Sequence, residues 1–165
     1  MFFIVPDVVI SAVALAKGWR AGLIACLLAA AGASLGGGVM YLWSQGSPQA
    51  ARTAVAAVPS VSDDMIAEAR ADMAREGWLV AAVKGPLTST PYKVYAMLAP
   101  EARAPLLAWM LAAFPVRLPR FIGVALAFAL ARRLAAGRVS RRGLIILFGL
   151  GWVLFYGWFW ASHPN

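Results

Sequence analysis

The chain has 165 residues, 62% of them hydrophobic and only 13% charged, with a formal net charge of +8 and a mean hydropathy of +0.74. A soluble domain carries roughly a quarter charged residues, so a water-soluble fold is excluded and one membrane domain is expected over 1–165. One cysteine and one histidine leave no basis for an internal disulfide, a metal site or histidine acid–base catalysis.

The N-terminus lacks a basic n-region and a small-residue cleavage site, so no signal peptide is expected. Phe2–Ala16 is apolar but interrupted by Pro6-Asp7. It cannot be an ordinary span and is expected to form a re-entrant hairpin over 1–19. Asp7 is the only acid expected within the apolar part. A carboxylate at bilayer depth costs about 2.5–3.5 kcal/mol, which protonation or a cation relieves. Asp7 can also cap the short helix led by Pro6, since acids favour that end; the two roles are compatible.

Ala21–Trp43 holds no charge at all and reaches the ~20 residues that cross a bilayer, so a transmembrane helix is expected over 20–43. Cys26 reads as a small packing residue there. Gly32, Gly36 and Gly37 offer a small-residue face for close helix packing, or alternatively the lining of a path.

The polar stretch Ser44–Gly77 is expected to be an external linker and amphipathic helix over 44–77. Gln45–Ser60, with Pro48 and Pro59, is linker-like. Ser62 can cap a helix with Asp63 and Asp64 in its first turn, Arg75 in its last and Gly77 at its end. Met65, Ala69 and Met73, widened by Ile66, give it an apolar stripe. Such a helix lies on the bilayer or on its own spans, or else binds a partner.

The second broken segment, Leu79–Ala99, carries Lys84, Pro86, Pro91 and Lys93 and is expected to be a re-entrant hairpin over 78–100. Gly85, Pro86 and Pro91 break the helix at its tip, where Thr88, Ser89 and Thr90 supply hydroxyls. Irregular backbone at membrane depth survives only when buried in protein or lining a wet cavity, and half-helix N-termini favour anions.

A kinked transmembrane helix is expected over 103–135. Its core contains Pro115, Arg117, Pro119 and Arg120, and each proline removes an amide donor. Arg117 and Arg120 share a helix face. Arg117 lies ~16 Å from Leu106 along the helix, near mid-membrane, and is expected to face a cavity, a carboxylate or an anionic ligand. If the prolines broke the helix, both arginines would instead snorkel to a surface. Asp7 is the obvious carboxylate, but it cannot balance two arginines plus Lys84 and Lys93. The surplus positive charge invites an anion, and the arginine fork suits phosphate oxygens. A last transmembrane helix follows over 143–161.

Arg132, Arg133, Arg138, Arg141 and Arg142 crowd one short loop, which the positive-inside rule places in the cytoplasm. The C-terminus and Ser44–Gly77 then lie outside, and Lys17 and Arg20 inside. A membrane surface thus accounts for the net charge, and nucleic acid is not an expected partner. The two hairpins open from opposite sides, as an inverted repeat does. Pro6-Asp7-Val8 through Ala16 faintly echoes Pro91-Tyr92-Lys93-Val94 through Ala99. No Walker loop, dinucleotide fingerprint, HExxH or nucleophile elbow appears, so no enzyme activity, cofactor or metal is expected.

Gly85–Pro100, with Thr-Pro-Tyr-Lys-Val-Tyr-Ala-Met-Leu-Ala, resembles the signature of the DedA superfamily (VTT-domain or SNARE-associated Golgi proteins), in its YqaA-like branch. Three further resemblances follow the family's order. They are Pro6-Asp7-Val8-Val9 with Ala14-Leu15-Ala16-Lys17, Ser34-Leu35-Gly36-Gly37 with Tyr41, and Phe114 through Arg117 with Arg120 and Phe121. Together they cover most of Pro6–Ala131. The resemblance implies an all-α integral membrane protein with two opposed re-entrant helical hairpins and about three transmembrane helices. It also implies translocation of undecaprenyl phosphate or glycerophospholipids between leaflets, with protons coupled in some bacterial members. The family's essential hairpin acid carries over onto Asp7, and its basic residues onto Lys84, Lys93, Arg117 and Arg120. The chain departs from the family in beginning almost at Pro6, as an N-terminally truncated or misassigned start would, or a reduced family member. It also has Thr90 and Tyr92 flanking Pro91, and lysines where other branches carry arginines, which leaves the substrate open.

The expectation is therefore a multi-pass protein of the bacterial inner membrane that transports or scrambles an anionic lipid. Its headgroup would be paired by Arg117, Arg120 and Lys93 in a polar cavity between the hairpins, with Lys84, Thr88 and Thr90 at hand. Asp7 would shuttle a proton or compete for the same cations. Membrane lipids are the expected partners, and a homo-oligomer is compatible with this reading. The rival is a non-transporting assembly or scaffold factor that uses the Ser62–Arg75 helix. A lipid-modifying enzyme is a third, weaker reading, since the sequence offers no nucleophile–base pair.

Overall fold

The computed structural model describes residues 6–58, 61–85, 90–137 and 139–162, the Trp160 side chain aside. Among them every regular element is a helix: α1 (Pro6–Lys17), α2 (Trp19–Gly46), α3 (Pro48–Ala56), α4 (Asp63–Glu76), α5 (Trp78–Lys84), α6 (Tyr92–Leu98), α7 (Leu106–Ala135) and α8 (Arg141–Ser162). Three of them, α2, α7 and α8, are long and apolar enough to cross a membrane. The 30 residues of α7 extend about 45 Å at the usual rise per residue. The chain divides into two compact units, Met1–Ala29 with Leu118–Asn165 and Ala30–Arg117. Helices α2 and α7 each contribute a segment to both units.

In the first unit, α1 begins at Pro6, whose ring suits a first helical position, and carries Asp7 in its first turn and Lys17 in its last. Gly18 ends it with φ +89°, a conformation that costs glycine nothing, and donates its N–H to the Ala14 carbonyl at 2.9 Å. The chain then re-enters helix at once. Gly22 of α2 lies where α1 and α7 close in: a Cβ there would sit 3.2 Å from Ala14 Cβ and 3.4 Å from Ala125 Cβ. Ile10, Ala14, Cys26, Phe121 and Ala125 of this unit are buried, and Cys26, 0% exposed, sits inside the packing as a small residue should. An edge-to-face pair of Phe128 and Phe148, centroids 5.5 Å apart, joins α7 to α8. Helix α8 also contacts α1, and its other side is open; Val153 and Leu154 are 70% and 71% exposed, the surface a lipid-facing helix presents.

In the second unit, residues 48–56 are helical, where the sequence reads as linker. Pro48 occupies the start of α3, where its missing N–H costs nothing, and Ala51 and Val55 are buried one turn apart. Burial of that pair outweighs the linker-like composition. Helix α4 starts as expected: the Ser62 hydroxyl accepts from the Met65 N–H at 3.2 Å. It stops at Gly77, whose φ is +85°. Its stripe is Ile66, Ala69 and Met73, all buried in the core of this unit, with Met65 half-buried at the edge. The two short helices α5 and α6 pack on each other and on α4. They flank 86–89, so Pro86, Leu87, Thr88 and Ser89 of the expected hairpin tip lie outside the described residues. The first expected hairpin is likewise described only from Pro6, as the single helix α1.

Three hydroxyls on α2 tie this unit together. Ser34 donates to the Met110 carbonyl at 2.5 Å, Tyr41 to that of Ala104 at 2.8 Å and Ser44 to that of Met97 at 2.6 Å. Hydroxyl-to-carbonyl bonds of this kind hold helices together where apolar surroundings supply no hydrophobic drive. Helix α7 runs through Pro115 and Pro119 without interruption, so the broken helix that would free both arginines to snorkel does not form.

Candidate functional site

The first unit pairs an acid with an arginine inside apolar helices. Asp7, in the first turn of α1, accepts a hydrogen bond at Oδ2 from Arg120 Nη2 of α7 at 2.9 Å. The carboxylate side is the protected one, 16% exposed against 55% for Arg120. The other oxygen, Oδ1, is buried and has no hydrogen-bond partner among the described residues. Ser11, one turn on, donates to the Asp7 main-chain carbonyl at 2.6 Å and leaves the carboxylate itself alone. Arg120 lies fourteen residues into α7, about 21 Å along the helix. The sequence reading offers Asp7 as the carboxylate for Arg117 and Arg120 alike; the ion pair is with Arg120, and Arg117 belongs to the second unit.

The second unit holds the other arginine. The Arg117 guanidinium stacks 4.1 Å from the Tyr92 ring centroid. Tyr92 in turn lies parallel to Trp109, centroids 5.5 Å apart with 4° between planes. Trp109 meets Trp78 at 6.0 Å and 59°. A desolvated cation over an aromatic face is worth about 2 kcal/mol, and each ring behind it adds to the packing. Gly37 makes room for this stack, because a Cβ there would overlap the Tyr92 hydroxyl and come within 2.9 Å of its ring.

The expected glycine face divides accordingly. Gly37 packs on Tyr92 and its neighbour Gly38 on Met110, whereas Gly32 and Gly36 have nothing within 4 Å of a Cβ. The reason is helical phase. At 3.6 residues per turn, Gly37 and Gly38 point about 100° and 200° away from Gly36. The four-residue spacing of Gly32 and Gly36 therefore selects the open side.

Lys84 is not gathered into this stack. From the end of α5 it reaches across the Gly77 break to form an ion pair with Glu76, the last residue of α4, which Arg75 also contacts at 3.3 Å. The Lys84 hydrogen bond, assisted by the charges of Lys84 and Arg75, holds the Glu76 carboxyl below its ordinary value against some desolvation. Lys93 and Thr90 are half-buried beside Pro91 and Tyr92. Pro91, with φ −62° and ψ 139°, sets the start of α6. Gly85 closes α5 against the Tyr95 ring, 3.1 Å from where a Cβ would be. Thr88 and Pro86 lie outside the described residues. The space between Gly85, Tyr92, Tyr95 and Arg117 is about 10 Å³, room for about one water and not for a headgroup.

Sequence reasoning missed the aromatic stack. Its members stand on α5, α6 and α7 with no common period, and only the position of Tyr92 just after Pro91 hinted at a role. No protein-family model, curated protein or solved structure matches this chain.

Proposed function

We propose that the protein moves an anionic lipid, a polyprenyl phosphate or a glycerophospholipid, between the leaflets of a bacterial inner membrane, on the plan of the DedA superfamily. The reading is carried by the Asp7–Arg120 pair. Ionisable side chains on membrane helices are costly to keep and mark substrate or ion pathways. In support, Arg117 adds a second cation on α7 above an aromatic face, and the sequence around Pro6-Asp7, Ser34–Gly37, Gly85–Pro100 and Phe114–Phe121 resembles that of the family in the same order.

In this reading α5 and α6 are the arms of a re-entrant hairpin and α1 is one arm of another. A lipid phosphate competes with Asp7 for the guanidinium of Arg120, and Asp7 released from that pair takes a proton. Arg117 and Lys93 offer further positive charge. The water-sized space beside Arg117 means that the α5–α6 pair must shift before a headgroup is admitted there. The arginine-rich α7–α8 loop faces the cytoplasm.

The test is a leaflet assay with the full chain in liposomes. Fluorescent phospholipid and polyprenyl phosphate should both be screened, and at least one should equilibrate faster than in protein-free vesicles. Asp7→Asn and Arg117→Ala should each slow it about ten-fold, and a pH gradient should change the Asp7-dependent part. If both lipids stay in their original leaflets, lipid movement is not the function.

The rival assembly-factor reading required an apolar face on α4 for a partner. That stripe is used by the unit's own core, with Ile66 and Ala69 0% and 1% exposed, so this observation favours the transporter.

A further inference from the structure

We propose that the first unit carries a docking groove for the headgroup phosphate of an anionic phospholipid, separate from the Asp7–Arg120 pair and independent of lipid movement. The groove measures about 730 Å³ and is lined by Gly18 and Trp19 at the α1–α2 turn and by Leu126, Ala127, Leu130, Arg132 and Arg133 on α7. It is large enough for a headgroup, unlike the space beside Arg117.

Gly18 sits against Arg132 in the groove. Its φ is +89°, and a Cβ would lie 2.9 Å from Arg132 Nη1, so a glycine here lets the guanidinium rest on the turn. That contact puts the Lys17–Arg20 turn and the last turn of α7 at one end of the unit. No acid pairs with the Arg132 or Arg133 guanidinium among the described residues. The segments of this unit contain eight basic side chains and one acidic one, Asp7, and Arg120 already engages it. The groove is therefore complementary to an anion: Arg132 and Arg133 both line it, and the guanidinium fork suits phosphate oxygens.

The walls select a lipid over free phosphate. Leu126 and Leu130 are 51% and 55% exposed along α7, an apolar track leading away from the arginines that an acyl chain can cover. Trp19 stands at the charged end, the position tryptophan favours at a membrane–water boundary.

The experiment uses the full chain in neutral detergent, titrated with phosphatidylglycerol, phosphatidylcholine or glycerol 3-phosphate, with bound ligand read by native mass spectrometry. Phosphatidylglycerol should bind about ten-fold more tightly than phosphatidylcholine, as two interfacial arginines allow, and glycerol 3-phosphate should not be retained. Arg132→Gln with Arg133→Gln should abolish the preference. Arg141→Gln with Arg142→Gln removes the same charge outside the groove and should keep it. Ala127→Trp fills the groove without changing charge and should weaken phosphatidylglycerol binding, which covers the case of a misfolded charge variant. The proposal is overturned if the preference survives Arg132→Gln with Arg133→Gln, if the Arg141/Arg142 variant loses it equally, if Ala127→Trp binds phosphatidylglycerol undiminished, or if glycerol 3-phosphate binds as well as the lipid. Leaflet movement is not read here, so this outcome is separate from that of the transport assay.

Discussion

Asp7 and Arg120, 113 positions apart in the chain, meet through a single hydrogen-bonded ion pair of 2.9 Å. It joins the start of α1 to the middle of α7 and balances the one acid of the first unit. Removing one partner from a protected pair leaves the other charge uncompensated. Asp7→Asn and Arg120→Gln should each lower stability by about 2 kcal/mol, less than the 3–5 kcal/mol of a fully buried pair, because Arg120 is half open. The double variant should cost less than the two single changes together. Unfolding in detergent, analysed as a double-mutant cycle, measures this coupling. Additive losses would mean that the pair contributes nothing to stability.

Glycines on α2 should differ sharply. Gly37→Ala drives a methyl into Tyr92, and overpacking of this kind costs about 1–3 kcal/mol. Gly32→Ala and Gly36→Ala meet open space and should be neutral or stabilising by up to about 1 kcal/mol through helix propensity. Thermal unfolding of the three variants tests the assignment. Equal losses at all three would place the packing face elsewhere.

Tyr92 should tolerate loss of its hydroxyl better than loss of its ring. Tyr92→Phe keeps a face for Arg117 and Trp109, whereas Tyr92→Leu removes the cation–π contact and the stacking. The expected difference between the two is about 2 kcal/mol. Trp109 fluorescence should also shift only in the leucine variant, provided the other tryptophans are replaced.

Acid should loosen the α4–α5 junction. The Glu76 carboxyl titrates lower in the folded protein than its ordinary value of 4.5, through Lys84 and then Arg75. Its contribution to stability is therefore complete above that value and is lost as pH falls from there through the lowered one. The wild-type unfolding temperature should drop over this window, and Glu76→Gln should lack that part of the drop. An identical acid limb in both proteins would assign the effect to other carboxylates.

Much of the fold is legible in the amino-acid sequence. Chain hydropathy marks α2, α7 and α8, since a span needs only length and apolar content. Ser62, Asp63, Asp64 and Gly77 mark α4, because capping is local chemistry. The helix at 48–56 was not legible: Ala51 and Val55 are ordinary residues until a core exists to bury them. The candidate site divides the same way. Ionisable groups in apolar text, Asp7, Arg117 and Arg120, are visible from composition alone, because the solvent makes them exceptional.

Which of them meet is a different kind of fact. Local spacing places Arg117 and Arg120 on neighbouring positions of one helix, but it does not say that Arg120 takes Asp7 while Arg117 takes the face of Tyr92. Nor does it say that Gly37 packs while Gly36 faces outward. Those outcomes depend on helix rotation and on residues far apart in sequence. A rotation of one residue, about 100°, exchanges a packed side for an open one. Composition and capping therefore decided that this chain forms apolar helices with embedded charge, and tertiary packing alone decided the partners.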